Sequence, residues 1–478
     1  MTWHGRRFRA GGWLWPLHAA GQTLLAGALV CLLLGGCAQT LPDTREMVHA
    51  ALARYRAAEQ RRELSEYGYA PAVPQTVPVA SQAADQVGAR LKRHLKVEAA
   101  ISGAPLLGGN RVTLLQNGPA AYQAMFAAME NASDSINLET FIFTDDEVGR
   151  RFAAQLIAAR RRGVRCNVIY DGFGSLATSR QFFDGLRGAG VSVAEFNPID
   201  PFHGLKRIEQ RDHRKLLIID GRVAFTGGIN ISGAYAKGIS RGQRGAGGPD
   251  VWRDTDVEIE GPAVNQLQRL FVAHWVKQTG HLLPVADYFP DEHWPGDMMV
   301  RVIGSSQDAG FSQMYVTLVS AIWHAEQHVY LTTAYFAPDA QLLRALESAA
   351  RRGVDVELIL PRHSDYMVAR YAAQTYYAQL LAVGVKIYER KDVILHAKTA
   401  IIDGVWSSVG SCNLDWLSFA SDDEINVTIL DAGFARQMEQ AFAADRERSR
   451  AITPQSWEHR SCRVRLRDWL ASTIERWL

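Results

Sequence analysis

A set of polar residues occurs twice in this 478-residue chain with the same internal spacing. The two sets are His213, Lys215, Asp220 and Asn230, and, far along the chain, His396, Lys398, Asp403 and Asn413. A single histidine of this kind is more often a packed or capping residue of a sheet than a catalytic one. A whole constellation that repeats with its spacing intact is difficult to attribute to packing, so it indicates a catalytic site.

Each set is predicted to lie on a β-hairpin. In both copies an apolar run ends in an Asp-Gly pair, Asp220-Gly221 and Asp403-Gly404, which is typical of a tight turn between two strands. Because side chains alternate between the faces of a strand, the histidine and lysine of a copy share one face and its aspartate lies on the other. The returning strand brings the asparagine near the histidine. Each hairpin therefore presents an imidazole, an ammonium and an amide together, and we interpret both aspartates as structural members of the set.

These groups suit attack on a phosphodiester. Its non-bridging oxygens gain negative charge as the phosphorus becomes five-coordinate, and fixed ammonium and amide donors stabilise that charge. Two hairpins supply two imidazoles, of which one attacks phosphorus while the other protonates the leaving oxygen and then activates the acceptor hydroxyl. The ordinary histidine pKa of about 6.5 makes both protonation states accessible at neutral pH.

The two copies resemble the HxKxxxxD motifs of the phospholipase D superfamily, and the flanking sequence is similar to that of bacterial cardiolipin synthases. The supporting stretches are Val112–Gly118, Leu138–Ile142, Arg162–Val164 with Tyr170–Gly172, Trp252–Asp254, Glu260–Pro262 and Gly410–Asp415. The resemblance implies a phosphatidyltransferase that works through a phosphohistidine intermediate and without a cofactor.

The resemblance also implies roles for single residues. The candidate catalytic set is formed by the six motif residues His213, Lys215, Asp220, His396, Lys398 and Asp403. Of these, His213 is expected to be the nucleophile and His396 the acid and base. The phosphate is expected to be held by the two motif lysines together with Asn230, Ser411 and Asn413.

The family carries a further acidic residue at a fixed distance after each motif histidine, where it orients the imidazole through the second ring nitrogen. In the second copy this position is Glu424. In the first copy, after an intervening loop at 238–249, the best match is Asp254. The alternative is that Asp254 is an ordinary acidic residue at the end of a strand, with no role at the histidine. The first copy has Gly228 where the second has Ser411, so one phosphate-facing hydroxyl is expected to be missing from it.

The duplication extends beyond the motifs. Residues 135–164 and 328–354 both follow the order strand, loop, amphipathic helix and Arg-Arg-Gly-Val, and a further strand comes after each. This alternation predicts an α/β fold of two similar phospholipase D-like α/β/α sandwich domains, at 109–290 and 291–450, with the active site at their interface. One chain carries both halves of the site, so a monomer is expected to suffice for catalysis.

Both ends of the chain predict a location at a membrane. Basic residues precede an apolar stretch at 13–36, and the sequence Leu34-Gly-Gly-Cys37 closes it, which resembles a bacterial lipoprotein signal with lipidation at Cys37. An uncleaved transmembrane helix at 1–37 is the alternative. Residues 38–108 indicate a helical segment and an Ala/Pro-rich spacer, and 451–478 a basic amphipathic helix that lies in the lipid interface or docks on the protein. We therefore expect a bacterial membrane enzyme, lipid-anchored and facing the periplasm.

Charge and cysteine content limit the classes of function. The 52 Lys and Arg against 50 Asp and Glu leave a net charge of +2, which gives no support to a nucleic-acid partner bound through bulk positive charge. Outside the N-terminal signal, Cys166, Cys412 and Cys462 show no paired spacing, so no disulfide is predicted. Other histidines, such as His274, have no metal-ligand partner at a recognisable spacing, and no metal is predicted.

Three functions remain in competition. The leading one is cardiolipin synthesis, in which an anionic phospholipid such as phosphatidylglycerol gives its phosphatidyl group to a hydroxyl of a second lipid at the membrane surface. The second is a hydrolytic phospholipase D, which uses the same residues with water as acceptor. The third is a phosphodiesterase or nuclease, which the charge balance and the anchor disfavour. A binding role without catalysis is the weakest hypothesis, because both His-Lys-Asn sets are complete.

Overall fold

The computed structural model describes residues 43–44, 46–48, 50, 88–198, 210–237, 251–291, 293–306 and 312–461. In this part of the chain, no helix combines the length and the apolar character that a membrane crossing requires. The predicted signal with Cys37, the Ala/Pro-rich spacer and the chain after residue 461 lie outside the described residues. Of the predicted C-terminal helix, the described part contains the end of a strand and the short helix Pro454–Glu458.

The first half of the described chain alternates strands and helices. Its strands are β1 (Leu107–Gln116), β2 (Ser135–Thr140), β3 (Arg165–Asp171), β4 (Ser192–Phe196), β5 (Lys215–Ile219), β6 (Val223–Gly227), β7 (Trp252–Arg253) and β8 (Thr255–Glu260). Its helices are α1 (Ala89–Ser102), α2 (Asn117–Asn131), α3 (Glu147–Arg161), α4 (Arg180–Gly188) and α5 (Ala263–Thr279).

The second half repeats this order. Its strands are β9 (Met298–Ser305), β10 (His328–Thr332), β11 (Asp355–His363), β12 (Lys386–Leu395), β13 (Thr399–Ile402), β14 (Trp406–Gly410), β15 (Glu424–Leu430) and β16 (Ser449–Ile452). Its helices are α6 (Gln313–His324), α7 (Ala340–Arg351), α8 (Met367–Thr375), α9 (Tyr377–Ala382), α10 (Trp416–Ala420), α11 (Ala432–Glu447) and α12 (Pro454–Glu458). The predicted domain boundary at 290 falls between α5 and β9.

The sheet shows the duplication directly. Among the described residues, sixteen strands form one mixed sheet in the order β16-β12-β11-β10-β13-β14-β15-β9-β1-β8-β6-β5-β2-β3-β4, and β7 pairs with β12. From β9 outward to β12, the order matches that from β1 outward to β4, strand for strand. The antiparallel pair β1 and β9 joins the two halves at the centre. The predicted α/β fold with two similar halves is confirmed.

Hydrophobic packing arranges the two halves in layers. One core contains first-half residues around α2 and α3, and a second contains second-half residues around α6 and α7 together with α1. A third core lies between the halves and takes residues from both, including the inner faces of α5 and α11. On β5, Leu217 and Ile219 face the first-half core whereas Leu216 and Ile218 face the central core. A strand buried on both faces explains the continuous apolar run after the first motif.

The two predicted hairpins are present. Strands β5 and β6 pair antiparallel with Ile219 opposite Val223, and β13 and β14 pair in the same way. In both turns the Asp and the Gly adopt positive φ, with values of 52° and 60° at Asp220 and Gly221. Positive φ at both central residues is the geometry that Asp-Gly favours, because glycine has no Cβ to clash.

Candidate active site

Both motif histidines lie at the edge of the sheet where its parallel strands end. Strand β2 runs antiparallel to β5 and places its last residue, Thr140, opposite Lys215. In the second half, the last residue of β10, Thr332, lies opposite Thr399, next to Lys398. Each histidine therefore sits just beyond the carboxyl end of a parallel strand pair, where α/β proteins commonly form their sites.

The chain segments that lead into the motifs cross between the halves. The backbone N–H of His213 donates to the carbonyl of Asp423 at 2.9 Å, so the approach to the first motif runs beside the approach to Glu424. The N–H of His396 donates to the carbonyl of Arg253 at 2.8 Å, beside Asp254, in the corresponding arrangement. These two parallel pairings bring residues of both halves to one place.

The crossing decides which acid meets which histidine. His213 Nδ1 lies 3.0 and 3.1 Å from the two carboxylate oxygens of Glu424, and His396 Nδ1 lies 2.7 Å from Asp254 Oδ2. Both acids are fully buried. The expectation that each acid orients the histidine of its own copy is therefore wrong: each orients the histidine of the other copy. Asp254 is also more than an ordinary strand-end acid, because its carboxylate contacts a motif imidazole.

The motif lysines are buried beside the histidines. Lys215 Nζ donates to the carbonyl of His213 at 2.5 Å, and Lys398 Nζ lies 3.0 Å from His396 Nε2. Burial lowers the pKa of Lys215 to about 7 and also lowers the pKa of Lys398. Two buried ammonium groups favour an anion between them, because the negative charge stabilises the protonated, charged form of both lysines.

The pKa values of the histidines link the two halves electrostatically. Burial lowers the pKa of His213 to about 4, against the influence of Glu424, and the charges of Lys215 and Lys398 act in the same direction as burial. Burial and Lys398 lower the pKa of His396, and its Asp254 partner opposes them. Because Lys398 belongs to the second half and His213 to the first, both motifs share one electrostatic environment.

Ser411 and Gly228 differ for a reason that the structure reveals. Ser411 Oγ donates to the Glu424 carboxylate and accepts from the backbone N–H of Ile425 at 3.0 Å, so this hydroxyl holds the acid. At Gly228, an added Cβ would lie 2.2 Å from Asp254 Oδ1. The first copy therefore does not merely lack a phosphate-facing hydroxyl. The shorter aspartate occupies the space that a side chain at 228 would need.

The two predicted asparagines have different surroundings. Asn230 Nδ2 donates to the hydroxyl of Tyr235 at 2.9 Å, and Asn230 Oδ1 accepts from the N–H of Ile142 at 3.1 Å. Asn413 is buried, and among the described residues its Oδ1 has no hydrogen-bond partner. Asn230 is thus fixed within the protein, whereas Asn413 retains hydrogen-bonding capacity.

The motif aspartates lie at the far ends of the hairpins. Asp220 accepts hydrogen bonds at 2.8 Å from the N–H groups of Ser133, Asp134 and Ser135. Asp403 makes the same contacts with the N–H groups of residues 326–328. These contacts favour their interpretation as structural residues over their place in the candidate catalytic set, because each carboxylate binds the chain that enters a neighbouring strand.

Aromatic residues that the sequence interpretation missed line the two histidines differently. Tyr235 Oη lies 3.4 Å from His396 Nδ1, and burial raises the pKa of Tyr235, so its hydroxyl stays protonated. The ring of Trp252 lies 5.1 Å from the His396 ring, whereas the neighbour of His213 is Phe141 at 5.0 Å. The only hint in the sequence was that Tyr235 follows Asn230 by five residues. Asn230 binds the Tyr235 hydroxyl, and this hydroxyl contacts His396.

A second polar cluster lies behind His213. Glu139, Asp212 and His274 are buried with possible ligand atoms within 4.8 Å of one another, an arrangement that could hold a metal ion. Sequence spacing gave no sign of it, because the three residues come from separate segments. His274 Nδ1 lies 2.7 Å from Glu139 Oε1, and Arg214 Nη1 lies 3.6 Å from the same oxygen. The guanidinium already supplies a cation to this cluster.

Comparison with known proteins agrees with this geometry. Residues 125–239 and 318–446 match the family model described as "Cardiolipin synthase, PLD-like domain". A cardiolipin synthase of Geobacillus sp. (strain WCH70) is 31% identical over 387 residues, covering 80% of this chain and 75% of that protein. One of Listeria monocytogenes serotype 4a (strain HCC23) is 34% identical over 369 residues, covering 77% and 75%.

A solved structure supports the fold independently. The crystal structure of phosphatidylserine synthase from Haemophilus influenzae Rd KW20 superposes with a TM-score of 0.58, covering 81% of this chain and 97% of that one. At 13% sequence identity this likeness concerns the fold alone. With the duplicated motifs, the matched halves and these relatives together, the chain belongs to the cardiolipin synthase family of phospholipase D-like phosphatidyltransferases.

Proposed function

We propose that the enzyme transfers a phosphatidyl group between two anionic phospholipids by two displacements at phosphorus, with His213 as the nucleophile that carries the group between them. The observation that carries the proposal is the pair of motif histidines, each held at Nδ1 by a buried carboxylate of the opposite half. A carboxylate at Nδ1 directs Nε2 toward the substrate. At His396 this nitrogen also lies 3.0 Å from Lys398 Nζ, an ammonium group proposed to bind the phosphate. Two imidazoles held in this way supply one nucleophile and one proton carrier, which phosphodiester transfer requires.

In the first displacement, Nε2 of neutral His213 forms a bond to phosphorus while the bond from phosphorus to the leaving oxygen breaks. Protonated His396 gives its Nε2 proton to that oxygen. In the second displacement, neutral His396 removes the proton from the acceptor hydroxyl, whose oxygen bonds to phosphorus as the phosphorus–nitrogen bond breaks. Both histidines return to their starting states, and the second lipid carries the phosphatidyl group.

The protonation states favour this assignment of the two roles. A pKa of about 4 keeps His213 neutral, and therefore nucleophilic, at neutral pH. His396 must begin the cycle protonated although burial and Lys398 lower its pKa. The Asp254 carboxylate and the negative charge of the phosphodiester both favour the protonated form, so binding of the substrate prepares the proton donor.

The non-bridging oxygens of the phosphate are proposed to bind between Lys215 and Lys398. Both ammonium groups are buried, and a phosphodiester supplies the anion that they favour. Asn413 adds an amide to this site. Asn230 is proposed to act through Tyr235, whose hydroxyl it binds and which in turn contacts His396. Tyr235 is therefore a positioning residue on the proton-transfer side.

We propose phosphatidylglycerol as the donor lipid, with glycerol as the leaving group, and no nucleic-acid substrate in view of the net charge of +2. One chain suffices because each histidine takes its acid from the other half of the same chain. The location is proposed to be the periplasmic side of a bacterial membrane, with a lipid anchor at Cys37. Cys37→Ser should abolish lipid labelling and processing, and unchanged labelling would rule this anchor out.

The reaction is tested with purified full-length enzyme and phosphatidylglycerol as the only lipid. The expected products are cardiolipin and glycerol, whereas phosphatidic acid alone would identify a hydrolytic phospholipase D. His213→Ala should abolish both turnover and the labelled phosphoenzyme. His396→Ala should still form the phosphoenzyme, although more slowly because the leaving oxygen is not protonated, and should also slow the second displacement. Phosphoenzyme that persists in His213→Ala and vanishes in His396→Ala would reverse the two roles.

A further inference from the structure

Large apolar side chains are exposed around the entrance to the active site. They come from three separate segments and are Phe173 (48% exposed), Leu176 (65%), Tyr366 (45%), Met367 (39%) and Leu417 (39%), which we call the active-site rim. We propose that the active-site rim inserts into the surface of a phospholipid bilayer and brings the phosphodiester of a lipid to the motif histidines. This inference rests on the proposed function, because it takes the substrate to be a lipid in a bilayer.

The topology places the rim at the edge of the sheet that carries the site. Phe173 and Leu176 follow the carboxyl end of β3, which is parallel to β2, whose end lies opposite Lys215. Tyr366 and Met367 follow β11, which is related to β10 in the same way. Leu417 lies on α10, which follows β14 in the chain. The end of β14 pairs with the start of β13, next to Lys398. Both halves thus contribute to one rim.

Each side of the rim lies one aromatic side chain away from a motif histidine. In the first half, the loop with Phe173 and Leu176 is fastened by Ser175 Oγ, which donates to the carbonyl of Phe141 at 3.2 Å. The ring of Phe141 lies 5.0 Å from the ring of His213. The rim and the reacting groups are therefore neighbours on the first-half side.

The second half has the same arrangement. The ring of Tyr366 lies 6.2 Å from that of Tyr335, which lies 6.4 Å from the ring of His396. Leu417 belongs to the helix that Asp415 caps, with Asp415 Oδ1 accepting from the N–H of Ser418 at 2.9 Å. That helix begins at Trp416, three residues after Asn413, so the rim also adjoins the proposed phosphate site from this side.

The depth of the site requires close contact with the lipid surface. The motif histidines and lysines are less than a tenth exposed, so a phosphodiester must leave the plane of the headgroups to reach them. Exposed aromatic and aliphatic side chains gain free energy when they leave water for the lipid interface, and tyrosine suits that interface because it is apolar with a polar tip. A protein partner on the rim would instead close the entrance that the lipid needs.

The remaining large exposed apolar side chains of the described residues provide a contrast. They are Leu282, Val285, Phe289 and Trp294, in the segment between α5 and β9. Two of them lie at the opposite edge of the sheet. A Cβ on Gly221 would come within 2.6 Å of Pro290, next to Phe289, and a Cβ on Gly109 would come within 2.2 Å of the Trp294 ring. Phe289 and Trp294 are 43% and 61% exposed, a range similar to that of the rim, so they make a matched control.

The test compares two forms of one substrate with the full-length enzyme in detergent-free vesicles. The substrates are phosphatidylglycerol in mixed vesicles with phosphatidylcholine, and short-chain phosphatidylglycerol dissolved as monomers. Removing one large apolar side chain from lipid weakens docking about tenfold. Phe173→Ser with Leu176→Ser should therefore lower turnover of vesicle lipid at least about tenfold, while turnover of the dissolved lipid stays close to wild type. Phe289→Ser with Trp294→Ser should leave both rates unchanged.

Several outcomes would overturn the inference. They are unchanged vesicle turnover in the rim variant, an equal loss on both substrates, or a loss of vesicle turnover in the control variant. If the wild type turns over neither substrate, the proposed function is wrong. Docking on the bilayer is then tested without turnover, by fluorescence quenching. A dye attached to Leu176→Cys should be quenched by brominated lipids, whereas a dye on Trp294→Cys should not. Equal quenching at both positions would exclude the rim as the docking surface.

Discussion

Replacing Glu424 with glutamine is expected to slow formation of the phosphoenzyme, although Glu424 lies in the half of the chain that lacks the proposed nucleophile. Glu424 holds His213 Nδ1 through contacts of 3.0 and 3.1 Å, and the two residues are 211 positions apart. Asp254→Asn is expected to act on His396 instead, and so to slow proton transfer to the leaving group. Both variants should slow the first displacement, but only Asp254→Asn should also slow resolution of the phosphoenzyme, because His396 is the base of the second displacement.

The size of the effect follows from the contact that is lost. A hydrogen bond to a charged group contributes a net ~1.5–3 kcal/mol. Each 1.36 kcal/mol changes a rate about tenfold, so Glu424→Gln should slow phosphoenzyme formation by roughly 10- to 150-fold. The glutamine keeps the shape of the glutamate and an oxygen acceptor for Ser411 Oγ, which limits the loss of structure. Glu424 also raises the pKa of His213, so its neutralisation should lower that pKa further.

Rapid-quench measurement of labelled phosphoenzyme with phosphatidylglycerol separates the steps. The matched control is Glu260→Gln, because Glu260 ends β8 and pairs with the exposed side chain of Arg111 at 2.6 Å. Such a surface pair contributes little, so this variant should keep both rates. Glu424→Gln should leave resolution of the phosphoenzyme close to the wild-type rate. An unchanged rate of formation, or a resolution slowed as strongly as formation, as a within-copy pairing of Glu424 with His396 would require, would refute the crossed pairing. Thermal unfolding of each variant shows whether the fold is retained.

Three further predictions concern single residues. Gly228→Ser would place a Cβ 2.2 Å from the Asp254 carboxylate, so activity should fall about tenfold or more with a lower melting temperature, and a wild-type-like variant would contradict the packing argument. Because His213 attacks when neutral and its pKa is about 4, single-turnover rates should hold at neutral pH and fall as the pH approaches 4. The charge of Lys398 lowers that pKa, so Lys398→Met should move the acid limb to higher pH, and an unmoved limb would count against the assignment. Asp220→Asn should lower the free energy of unfolding by about 1–3 kcal/mol in denaturant titrations and leave kcat unchanged; loss of kcat in a stable variant would return Asp220 to the catalytic set.

Much of the local structure of the site was predictable from the sequence. Asp220-Gly221 specifies a turn with positive φ at both residues, and this turn fixes the register of the hairpin that follows the motif. Strand alternation then places His213 and Lys215 on one face and Asp220 on the other. The duplicated order of strands and helices also predicted the two similar halves, because hydrophobic periodicity is a short-range property.

The crossed pairing of acids and histidines was decided by tertiary structure alone. It depends on Asp423 lying beside His213, and on Arg253 lying beside His396, which are contacts between segments far apart in the sequence. The same holds for the fit of Asp254 against Gly228 and for the contact between Tyr235 and His396. Local sequence specifies turns, strand faces and the types of reactive groups. Which groups meet across the interface is set by how two folded halves pack, since burial of the shared core fixes their relative position.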